Sequence, residues 1–100
     1  MAIEELLILM IIKSRDNTLG VSHNTIEIFC IPLEIYINQR NAIIINLLGD
    51  NFIEENQETF KLTVKGEGLL KNSDLKPFIL QKINDKNRVT IEYLLNKCQI

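Results

Sequence analysis

The side chains able to do chemistry are few, and their spacing settles most of what they can do. Cys30 and Cys98 are the two cysteines and stand far apart, with neither metal-ligand nor redox spacing around them. Buried core filling accounts for Cys30. His23 is the single histidine and has no Cys or His at ligand spacing, so it reads as a cap-region or surface residue. Six carboxylates lie between residues 22 and 60, namely Glu27, Glu34, Asp50, Glu54, Glu55 and Glu58. No two of them form an acid–base pair with a reason for a shifted pKa, and together they read as a solvated face. Gly66 and Gly68 lack the preceding strand and the Lys-Ser/Thr pair of a phosphate-cradling loop. No catalytic residue, metal site or cofactor is therefore expected, and the chain is read as a non-enzyme. One polar cluster remains, Asn38, Gln39, Arg40 and Asn41, which either presents hydrogen-bonding groups to a ligand or is a helix cap with a solvated first turn.

The elements that position these residues follow from periodicity and caps. Residues 2–15 read as a helix with acidic Glu4 and Glu5 in the first turn and basic Lys13 and Arg15 near the last. Its apolar residues run almost all the way round, which demands a central place in the core or a partner chain. Asp16, Asn17 and Gly20 end it. Ser22 or Asn24 caps a short second helix carrying Ile26, Phe29 and Cys30, and Pro32 ends it or opens the next. Asn38 is the expected N-cap of a third helix over 39–48, with Ile44, Leu47 and Leu48 inward and Ile43 and Ile45 exposed. Gly49 to Asn51 stop it. Residues 52–55 and 59–63 alternate as a hairpin turning at Asn56 and Gln57. Thr63 caps a fourth helix reaching about Lys71. Residues 72–76 form a linker, Pro77 takes a first helical position, and a helix runs towards Cys98, either continuous or broken in two at 84–87.

The order helix, helix, helix, hairpin, helix, together with the stretch from Ile44 to Leu70, resembles a winged helix-turn-helix domain of the MarR-like and PadR-like transcriptional regulators. The residues that carry the resemblance are Leu47, Asn51, Phe52, Ile53, the polar wing Glu54 to Glu58, then Leu62, Thr63 and Gly66, with Phe29, Cys30, Leu33 and Ile35 upstream. It covers roughly residues 22–71. Pro32 falls where the family's second helix usually continues, Arg40 where an aliphatic residue is common, and the wing is acidic where DNA-binding wings are often basic. The fold class implied is mainly α with a small β-hairpin (α+β), a winged helix with added N- and C-terminal helices. Residues 1–76 would be the winged-helix domain and 77–100 a C-terminal helical extension for dimerisation. The resemblance implies a small homodimeric DNA-binding protein regulating transcription by operator occupancy, without a cofactor. Asn38, Gln39, Arg40 and Asn41 would then meet base edges in the major groove, with Asn46 further along the helix. Asn56 and Gln57 would reach the minor groove or backbone, and Lys61 and Lys65 the phosphates of double-stranded DNA.

Charge qualifies that expectation. Residues 22–60 hold one basic and six acidic side chains (1 − 6 = −5), while residues 61–100 hold eight basic and four acidic (8 − 4 = +4). A −5 segment carrying the reading helix and the wing opposes phosphate neutralisation. Either the basic C-terminal residues lie beside the groove, or the surface binds protein and not DNA, which suits apolar Ile43 and Ile45. Seventeen Ile and eleven Asn, both favoured by AT-rich coding DNA, weaken any reading of an exposed Ile. The apolar run 6–12 is too short for a membrane span and lacks a basic leader, so a cytoplasmic protein with no membrane association is expected.

Overall fold

The computed structural model describes residues 1–15, 19–72 and 74–100. The first helix, α1 (Ile3–Ser14), carries Leu6 to Ile12 as seven consecutive buried residues. It passes through the middle of the molecule, packing against four other helices and the central strand of the sheet. The demand made by its apolar circumference is thus met within one chain. The Glu5 carboxylate accepts the Ala2 N–H at 3.1 Å and closes its first turn. Asp16 and Asn17, expected to end the helix, lie outside the described residues, as does Ser73 of the expected linker.

A two-residue strand follows, β1 (Val21–Ser22), which the sequence reading missed. Two residues carry no readable alternation. Ser22 then caps α2 (His23–Cys30), its hydroxyl accepting the Thr25 N–H at 3.2 Å. Pro32 sits in the turn after α2, and Glu34 takes a left-handed φ of 60° before the chain re-enters a helix. That helix, α3 (Ile37–Gly49), starts two residues earlier than expected, with Tyr36 and not Asn38 at the N-cap. Asn38 is its second residue and exposed. Its inward face is Arg40, Ile43, Ile44 and Leu47, so Ile43, expected to be exposed, belongs to the core, while Ile45 is 68 % exposed as expected.

Asn51 supplies the left-handed stop, with φ 62°. The hairpin is β2 (Ile53–Asn56) and β3 (Thr59–Leu62), antiparallel with Ile53 opposite Leu62 and Glu55 opposite Phe60. Its tip is Gln57 and Glu58, one residue later than expected; both have positive φ, 53° and 68°. Such left-handed pairs match the twist of the flanking strands. Val21 pairs with Phe60, giving a three-stranded antiparallel sheet in the order β1-β3-β2.

Thr63 caps α4 (Val64–Leu70) as expected. The C-terminal helix is broken. α5 (Leu75–Leu80) precedes α6 (Arg88–Lys97), and Pro77 is the third residue of α5, not its first. Proline is still free of cost there, because the N–H groups of a first turn have no helical acceptor. Asn84 and Asn87 build the break: Asn84 Oδ1 accepts the N–H of Lys86 and of Asn87, and Asn87 Oδ1 accepts the N–H of Asn84. The protein is thus mainly helical with a small antiparallel sheet, and residues from α1 through α6 share one apolar cluster. No helix among the described residues is long and apolar enough to cross a membrane.

Candidate interaction face

The outward face of α3 and the adjoining hairpin hold most of the residues singled out from the sequence. Asn38, Gln39, Asn41 and Asn46 are all exposed on α3. At 100° per residue they divide into two flanks. Asn38, Gln39, Ala42 and Asn46 form an amide-rich flank. Ile37, Asn41, Ile45 and Leu48 recur at intervals of three or four and form a second, more apolar flank. That flank borders a cleft of about 380 Å³ closed on its far side by His23, Glu55 and Phe60.

The sheet register explains why those three residues meet. Val21, Phe60 and Glu55 are paired across the three strands, so their side chains leave the same face. Val21 and Phe60 enter the core. Glu55 stands at the hairpin end of that row, where the core has ended, and its carboxylate lies 4.0 Å from His23 Nε2. His23 meets the Phe60 ring edge-on at 4.6 Å between centroids. The cleft therefore has an apolar floor and one acidic lip.

Arg40 departs from its expected place. It is only 7 % exposed and faces inward beside Cys30, its Nη2 donating to Glu27 Oε2 at 3.3 Å. Its Nε is buried with no acceptor among the described residues. The helix periodicity is responsible: Arg40 lies three and seven residues before the core positions Ile43 and Leu47. The winged-helix resemblance carried the signal, since it implies an aliphatic residue at that position.

The remaining expected cations are engaged or balanced. Lys61 pairs across the ladder with Glu54. Lys65 Nζ donates to the Asp50 carbonyl at 2.8 Å and sits 4.6 Å from the Phe52 ring centroid, beyond the C-terminal end of α3. Asn56 and Gln57 lie exposed at the hairpin end beside Glu55 and Glu58. Near the start of α3 one further cation appears that residue spacing did not reveal. Lys86 Nζ donates to Glu34 Oε1 at 3.0 Å, and this hydrogen bond, with the nearby charge of Glu34, raises the lysine pKa.

A second cavity, about 510 Å³, lies behind α1 between Lys13, Glu67, Lys71, Lys76 and Cys98. Lys13 and Glu67 form an ion pair at 2.7 Å at its mouth. Cys98 Sγ contacts the Met10 carbonyl at 3.3 Å and so ties the end of α6 to α1. Burial pushes the thiols of both Cys30 and Cys98 up to about 11, which makes each a poor nucleophile. Comparison of the chain with protein-family models, with curated proteins and with solved structures returned no match.

Proposed function

We propose that this chain is a winged-helix module that works by holding a protein partner on the α3–hairpin face, without catalysis. The element order, the β1-β3-β2 sheet and the Thr63–Gly66 cap support the winged-helix reading. One observation carries the choice of partner: Arg40, the only charged residue of α3, is buried and paired with Glu27. The exposed face of α3 is then uncharged, and its neighbour across the cleft is the acidic hairpin. Phosphate neutralisation supplies most non-specific DNA affinity, and this face offers it little. A cytoplasmic setting fits two free thiols, Cys30 and Cys98.

The reading as a dimeric operator-binding regulator keeps one specific support. Lys86 reaches Glu34 in the turn before α3, which brings the basic 82–88 segment beside the helix start. Duplex DNA would then meet Asn38, Gln39 and Asn41 with Lys86 on the backbone.

Fluorescence anisotropy of a labelled AT-rich duplex, titrated with the full chain at low and then physiological salt, separates the two. The protein-binding reading expects no saturable binding even at low salt. Binding that weakens steeply with salt, and weakens further in Asn38→Ala and Lys86→Ala, overturns it in favour of the operator reading.

A further inference from the structure

We infer that the cleft between α3 and the hairpin takes an amphipathic helix of another protein, anchored by Leu- or Ile-type side chains and flanked by Lys or Arg. The inference rests on the protein-binding reading and adds the chemistry of the partner. The apolar lining of the cleft is Ile44, Ile45, Leu48 and Phe60, and its volume of about 380 Å³ has room for the aliphatic side chains of a helix lying across it. Ile45 is 68 % exposed, an apolar side chain left in water by this fold. An apolar groove along a helix is a recurring seat for the apolar face of an incoming helix.

Charge decides which helix. Glu55 forms the lip of the cleft, Glu58 stands at the hairpin tip, and Glu54, one residue before Glu55, leaves the opposite face of the strand. Of these, Glu54 faces Lys61 across the ladder, and Glu55 has His23 at 4.0 Å. α3 contributes no exposed charge. A partner with acidic flanks would be repelled, whereas Lys or Arg flanks complement the lip and steer association.

The test uses the full isotope-labelled chain and three synthetic amphipathic helices of identical Leu positions, with Lys, Gln or Glu on the polar face. The Lys peptide is expected to shift the amide resonances of Asn41, Ile45, Leu48 and Glu55 and to bind at least about tenfold more tightly than the Gln peptide at low salt. Glu55→Gln should narrow that preference. Ile45→Asp discriminates anchoring from simple charge attraction: it should weaken the Lys peptide about tenfold or more, whereas a peptide held by charge alone binds this more acidic variant more tightly. Ile45 is exposed, so the variant keeps the core intact. Equal binding of the Gln or Glu peptide at the same amides overturns the basic partner while leaving a protein-binding cleft. Shifts confined to other surfaces, or no binding by any peptide, overturn the inference outright. Peptide-free shifts of the same amides that grow with protein concentration make a second copy the occupant and overturn it too. Shifts of those amides by duplex DNA overturn both the inference and the reading beneath it.

Discussion

Arg40 shows how one side chain redirects a functional reading. Its guanidinium is fixed inside the α2–α3 contact, with an Nε that no acceptor among the described residues serves and a Glu27 partner that is half exposed. An ion pair with one charge buried often contributes no more stability than an apolar side chain of similar size, while truncation removes packing as well as charge. Arg40→Met is therefore expected to hold or raise stability, and Arg40→Ala to lose about 1–3 kcal/mol, both read from urea denaturation midpoints. A large loss in Arg40→Met would show that the Glu27 pair is structurally required. The residue was legible as an anomaly, a charge where the winged-helix resemblance implies an aliphatic residue, but a sequence does not say whether such a side chain turns outward or is swallowed. Asn38 misled for a related reason. It is a good cap by type, yet Tyr36 holds the N-cap with an extended backbone and no side-chain bond, because tertiary packing and not capping chemistry sets where α3 begins.

Among the elements, the hairpin and its exit into α4 were the most readable, since their residues are chosen by backbone geometry. Thr63 serves three bonds: its N–H donates to the Phe52 carbonyl at 3.1 Å, its hydroxyl donates to the Asn51 carbonyl at 2.5 Å, and its Oγ1 accepts the Gly66 N–H at 3.1 Å. Gly66 is required for a separate reason, because a Cβ there would collide with the Phe52 carbonyl oxygen. The motif Leu-Thr-x-x-Gly thus describes one joint, in which the helix start is pressed against the strand start. Thr63→Val should cost about 1–2 kcal/mol, and Gly66→Ala at least about 2 kcal/mol, measured by thermal or chemical unfolding. A Gly66→Ala variant as stable as the parent would mean that the joint is looser than this geometry. β1 escaped the sequence reading because a strand this short has no pattern of its own. Its existence depends on the β3 backbone beside it.

The whole molecule is organised around α1, whose composition announced a buried helix without saying what would bury it. Both thiols report on that arrangement, Cys30 from α2 and Cys98 from its contact with Met10. Burial raises each pKa in the folded state from 9.0 to about 11. The protonated thiol is thus favoured by folding, so this contribution is complete below about pH 9 and is lost as pH rises towards about 11. The urea midpoint should fall across that window, and Cys30→Ala,Cys98→Ala should flatten the fall. At about pH 8 both native thiols should alkylate roughly 100-fold more slowly than in urea, in proportion to their smaller thiolate fraction. Rapid labelling of the native protein would contradict the packing around α1.

The position of α1 also constrains how the chain reaches this shape. The helix that comes first in the sequence is covered in part by α6, which comes last. During synthesis seven oily residues leave the ribosome well before α6 does, so this segment keeps part of its apolar surface uncovered until α6 has emerged. Completion of the core is accordingly expected to wait on a contact between segments far apart in the chain, which leaves the nascent segment open to aggregation in the interval.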